Sequence, residues 1–171
     1  MNSNFPPSLA AVLVHEGGRV DDPQDPGGRT AFGITQRVYD AWRGSHGLAV
    51  RDVWKIEQSE TAAIYRHEYW DAIRGDDLPS GLDYCIFDFA VNSGVNRASR
   101  YLQRAAGVAD DGKIGPMTLA AVKAEPAPEL IAAVCNARLA FLQQLPTFVR
   151  FGRGWTARVA EVRAKATEMV A

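Results

Sequence analysis

His15-Glu16 ends a short apolar run (LAAVLV, residues 9–14), and two glycines follow Glu16 directly. A carboxyl group there can lie in a cleft against apolar side chains, where loss of water favours the protonated form. A general acid for glycoside cleavage needs that environment, because it must still hold a proton near neutral pH. The competing reading is an exposed carboxylate at a helix C-terminus, the unfavourable end for a negative charge. Local conflicts of this kind are common at functional positions. Nine residues on, Asp25 stands in Asp-Pro-Gly-Gly, and Thr30 follows. Glycosidases set two carboxyl groups across the scissile bond, or one carboxylic acid with a positioned water. A Gly-rich loop can fold Asp25 and Thr30 back over Glu16. Asp-Pro-Gly is equally ordinary turn chemistry, so Asp25 taken alone reads either way.

Further residues could contact a substrate. Asp88 and Asn92 lie one helical turn apart in LDYCIFDFAVNS (82–93), which is apolar nearly all round. Buried without partners they would be costly, so they bond either to a site or within the scaffold. Tyr69 and Trp70 could stack on sugar rings, although aromatics at helical spacing more often build a core. Arg97, Arg100 and Arg104 share one helix face, and Arg150, Arg153, Arg158, Arg163 and Lys165 crowd the C-terminal segment. Solvated helix faces explain both groups, and contact with an anionic envelope surface is the sharper alternative.

The composition narrows the field. The chain has 171 residues, 47% of them hydrophobic, which suits one compact domain around one core. The formal net charge of −1 argues against a nucleic-acid partner. Three histidines and two cysteines show no metal-ligand spacing, so neither a metal nor another cofactor is expected. Cys85 and Cys135 read as small buried hydrophobes, with a disulfide left open. The run at 9–14 is too short to span a membrane and lacks the positive charge of a signal peptide.

The elements that must position these residues are mostly helices. Helical patterning covers 8–15, with Ser8 as N-cap behind Pro6-Pro7, then about 35–44, about 57–73 and the central buried helix 82–93. It continues over 95–106, 116–124 and about 128–145, breaks at Pro146, and ends with a helix from about 154 to 169. Residues 17–34 carry too many glycines and prolines for a helix and read as an ordered active-site loop with room for a small β-hairpin. The expected fold is therefore mainly α.

EGG-x-x-x-D-P-x-D-P-G-G-x-T-x-x-G-I-T (16–35) resembles the signature of glycoside hydrolase family 108, the N-acetylmuramidases of phage endolysins and of some secretion accessory proteins. IYRHEYWDAIRGDDLPSGLDYCIFDFAVNSG (64–94) is similar to the family's central block. LQRAAGVADDGKIGPMTLAAV (102–122) resembles a three-helix peptidoglycan-binding motif, although turn chemistry at Asp111-Gly112 and Gly115-Pro116 explains much of it. FGRGWTARV (151–159) looks like the closing segment, with Trp155 packing on the core. The family carries an aromatic residue after EGG where this chain has Arg19.

The resemblance implies a lysozyme-like helical domain with a catalytic region at 1–94 and a peptidoglycan-binding-like region at 95–171 packed into it. It implies cleavage of the β-1,4 bond between N-acetylmuramic acid and N-acetylglucosamine, with Glu16 as acid and Asp25 and Thr30 positioning water. It also implies an endolysin role: a monomer without stable membrane insertion, held in the host cytoplasm and released to the wall through a separate holin. A secretion accessory role fits equally. A lytic transglycosylase on the same bond, and a non-catalytic peptidoglycan-binding protein, are the alternative readings.

Overall fold

The computed structural model describes residues 4–21 and 29–170. Packing divides the chain into two compact units: Leu9–Glu68, and Met1–Ser8 together with Tyr69–Ala171. The described residues form eight α-helices and one small antiparallel sheet, so the fold is mainly α with a small hairpin.

Helix α1 spans Phe5–Glu16 and so begins before Ser8. Pro6 and Pro7 fall in its first turn, where backbone N–H groups have no intrahelical partner to lose. Ser8 is buried, and its N–H donates to the Asn4 carbonyl (3.1 Å), so it is a helix residue and not the cap.

In Leu9–Glu68, three two-residue strands follow: β1 (Arg19–Val20), β2 (Thr30–Ala31) and β3 (Ile34–Thr35), ordered β1-β2-β3. Their register pairs Val20 with Thr30 and Ala31 with Ile34. Thr35 caps α2 (Gln36–Ser45) by accepting the Val38 N–H at 3.3 Å. Helix α3 (Gln58–Tyr65) starts with a capping box between Glu57 and Glu60. The single helix expected over 57–73 stops at Tyr65, and a π-helical turn, Arg66–Trp70, takes over. Such wider turns recur at functional positions.

In the other unit, α4 (Leu82–Ser93) is the central helix: every residue from Leu82 to Ala90 is buried. It packs on α5 (Val95–Ala105), α7 (Ala127–Gln143) and α8 (Phe148–Val170), and α6 (Pro116–Ala124) leans on α7. Helix α8 starts at Phe148, earlier than its two glycines suggest. A side chain at Gly152 would come within 2.7 Å of the Phe148 ring one turn back, so the glycine admits that ring and does not break the helix. Trp155 is half-buried and stacks with Phe148 and Phe151 of its own helix.

The LQ…DG block is organised by one buried amide. The Gln103 side chain accepts the Gly112 N–H (2.8 Å) and donates to Asp111 (2.7 Å), the Lys113 carbonyl (3.1 Å) and Thr118 (3.2 Å). Gly112 has φ +79°, a conformation strained for residues with a side chain, and a Cβ there would also displace the Asn96 amide at 2.3 Å, so the turn favours glycine. These motif residues are scaffold.

Cys85 and Cys135 are both buried and both free, their sulfurs 3.6 Å apart.

Candidate active site

Glu16 is the last residue of α1, and Gly17 turns the chain away with φ +75°. One turn earlier Val12 is fully buried, which fixes the helix face and leaves the Glu16 side chain half-buried. Opposite it stands the β2–β3 turn. Phe32 and Gly33 are its two central residues, with φ +50° and +74°, the left-handed pair of a type I′ hairpin. A phenylalanine in that conformation is strained, and strain of this kind concentrates at functional positions.

Two hydrogen bonds hold Phe32 in place. Its N–H donates to the Gly18 carbonyl (3.2 Å), and its carbonyl accepts the Tyr65 hydroxyl (2.7 Å). Tyr65 is itself 2% exposed, so the anchor is rigid. A Cβ at Gly33 would lie 3.0 Å from the Tyr65 oxygen and 3.2 Å from Glu16 Oε2. The Glu16 carboxyl group and the fixed Tyr65 hydroxyl therefore both occupy the space that a side chain at position 33 would need. Thr30 sits in β2, half-buried, two residues before Phe32. Asp25 lies outside the described residues.

The residues flanking 22–28 are tied to each other. Arg29 donates to Asp21 (3.2 Å) and to Asp52 (2.8 Å), and its guanidinium stacks 4.6 Å from the Trp54 ring centre. The Trp54 amide, with the Arg29 charge, holds the Asp52 carboxyl below the usual carboxylate range.

Behind the sheet, Gln36 joins α2 to the following loop by donating to the Arg51 carbonyl (2.9 Å) and accepting the Val53 N–H (2.7 Å). Glu60 then locks α3 to both. It accepts from the Tyr39 hydroxyl (2.6 Å), from Arg43 (2.5 Å) and from Arg51. Burial pushes the Glu60 carboxyl up, but these donors outweigh it and hold the group below its ordinary range. This network fixes α3, and α3 carries Tyr65 to the site.

The remaining sequence candidates belong to the other unit. Trp70 is 1% exposed, its ring packed edge-on against Phe5 and Phe87 and its N–H donated to Asp76 (3.0 Å). Those ring faces are spent on the core. Tyr69 is half-buried in the π turn. Asp88 is fully buried and accepts from Arg138 (2.7 Å) and, through both carboxylate oxygens, from Arg158 (2.8 Å at the shortest). Asn92 is half-buried and accepts from the same Arg138 (3.1 Å). Thus Asp88 and Asn92 do share a face as their spacing requires, and what they meet there are the arginines of α7 and α8. Arg158 is for that reason core structure and not part of a solvated basic face.

Sequence reasoning missed Tyr65, Phe32 and Arg29. Gly33 was visible as part of a motif, but nothing in residue type announces a left-handed phenylalanine. Tyr65 passes for one more apolar helix residue.

Residues 9–94 match the family model described as Glycosyl hydrolase 108. The chain belongs to that family. Residues 97–160 of this family 108 glycosidase match a second model, described as Predicted Peptidoglycan domain. A solved structure titled "Structure of Brucella abortus SagA" is 43% identical, with a TM-score of 0.85, covering 99% of this chain and 97% of that one. A search of curated proteins finds no match. Glu16, Thr30, Gly33 and Tyr65 all fall inside the glycosidase match, so the enzyme is a glycoside hydrolase directed at peptidoglycan. Among the described residues no helix is long and apolar enough to cross a membrane.

Proposed function

We propose that this glycosidase is an N-acetylmuramidase that hydrolyses the β-1,4 bond between N-acetylmuramic acid and N-acetylglucosamine, with Glu16 as the proton donor. The observation that carries the reading is the placement of the Glu16 carboxyl group at the side of Gly33 where a side chain would stand, beside the tethered Tyr65 hydroxyl. A proton donor must be held in one place relative to the scissile oxygen, and this packing does so on three sides: α1, the hairpin turn and α3.

In this mechanism Glu16 protonates the leaving oxygen, so that the bond breaks without expelling an alkoxide. Thr30, with Asp25, orients the water that attacks C1 or offsets the positive charge developing there. Tyr65, Phe32 and Gly33 act as positioning residues. Of the sugar-contact candidates, Trp70 and Asp88 support the fold.

Mass spectrometry of products released from purified sacculi, before and after borohydride, tests the reaction type. Reducing muramyl ends establish hydrolysis, and anhydro-muramyl ends would reassign the enzyme to the lytic transglycosylases. The endolysin role belongs to the same proposal and rests on the blocks shared with phage muramidases. Co-expression with a holin should lyse a host that tolerates either protein alone.

A further inference from the structure

The peptidoglycan-domain match contains a second surface that the glycosidase chemistry does not use. Two hollows of about 370 and 410 Å³ share Tyr101 and Arg104 as common wall. The first is lined by Arg97, Arg100 and Arg104 on α5. The second runs between α5 and α7, floored by Ala133, Ala137 and Ala140.

Three guanidiniums here meet a single carboxylate among the described residues. Asp110 binds Arg104 (2.5 Å) and lies 3.4 Å from Arg100. Arg97 donates to the Ser93 carbonyl (3.2 Å), and its guanidinium carbon sits over the Phe141 ring, 4.3 Å from the centre. The cation–π contact and the single hydrogen bond leave most of its donors unused. Positive charge beside an alanine-floored channel asks for a ligand with a carboxylate next to small apolar groups. The glycan backbone offers neutral N-acetyl sugars. The peptide stem of peptidoglycan offers free carboxylates and alanyl methyls.

We propose that the α5–α7 groove binds the peptide stem of peptidoglycan, a stem carboxylate on Arg97 and Arg100 and its methyl groups on the Ala133–Ala137–Ala140 face. This rests on peptidoglycan being the partner, and it is independent of Glu16. It makes the second region a specificity element that holds the wall by its peptides while the glycan is cut.

The test is calorimetric titration of the full-length protein with stem peptide freed from sacculi by an amidase, against a chitin oligosaccharide as sugar-only probe. The stem peptide should bind. Arg97→Gln with Arg100→Gln, and separately carboxyl-amidated peptide on the unaltered protein, should each weaken binding roughly tenfold or more. Ala137→Leu, which fills the floor without touching charge, should do the same. Equal affinity in all four titrations would overturn the proposal. So would no binding of stem peptide to the wild type, tighter binding of the chitin probe at this groove, or displacement by inorganic polyphosphate as effective as by peptide. If stem peptide binds but sacculi release no muropeptides, the glycosidase mechanism fails and the groove stands. The converse pair of results removes only the groove.

Discussion

Gly33→Ala gives the sharpest test of how the acid is held. The new methyl would lie 3.0 Å from the Tyr65 oxygen and 3.2 Å from Glu16 Oε2, tighter than ordinary contact by roughly 0.2–0.4 Å. The Tyr65 hydroxyl is tethered to the Phe32 carbonyl at 2.7 Å, so Glu16 must give way. Misplacing a catalytic group by about 1 Å costs roughly a hundredfold, so a shift of this size should lower kcat about two- to sixfold. The left-handed backbone adds its own penalty, about 1–2 kcal/mol for a residue with a Cβ, or a Tm lower by roughly 2–8 °C in a chain of this length. Gly47→Ala separates the two effects: Gly47 has φ +67° but open space around its Cβ position. Both variants should lose similar Tm in a circular-dichroism melt, and only Gly33→Ala should lose kcat on purified sacculi. Full activity in Gly33→Ala, or equal kcat losses in the two variants, would refute the packing account of Glu16.

Tyr65→Phe should lower stability by about 1–2 kcal/mol by leaving the Phe32 carbonyl unpaired, and lower kcat with little change in KM; an unchanged melt would show that the tether is idle. Asp88→Asn should cost about 3–5 kcal/mol, because it leaves the buried Arg138 and half-buried Arg158 without their counter-charge; denaturant titration reads the loss, and a variant as stable as wild type would return Asp88 to the surface candidates. Glu60 has its folded-state affinity for protons lowered, so its contribution is present above its unfolded pKa, about 4.3, and is lost as pH falls through the lower folded value. Melts of Glu60→Gln from pH 7 to pH 3 should therefore show a smaller acid-side fall in Tm than wild type, and parallel curves would contradict the network.

Much of this was legible in residue order. The breakers over 17–34 marked a non-helical segment, and the all-round apolar run 82–93 marked the central helix, because both signals come from local chemistry. The i, i+4 pair Asp88 and Asn92 predicted a shared buried face, yet its partners Arg138 and Arg158 come from 46 to 70 residues away and no local rule selects them. Trp70 shows the same limit: its type suits sugar stacking, and only tertiary packing with Phe5 and Phe87 decides that it is core. Ser8 and Gly152 misled for a different reason. Each has the residue type of a helix end and each lies inside a helix: Gly152 leaves room for the Phe148 ring, and Ser8 is fully buried in α1. At the candidate site, the end of the helix at Glu16 was legible from the two glycines that follow it. The strained turn and the Tyr65 tether that hold it were not.

The most direct measurement is release of soluble muropeptides from purified sacculi by the wild type and by Glu16→Gln, with sacculus binding followed in parallel. The account predicts that Glu16→Gln binds and melts like wild type while turnover falls by at least about a hundredfold, the scale of lost general-acid catalysis. A Glu16→Gln enzyme that still releases muropeptides at the wild-type rate would contradict it.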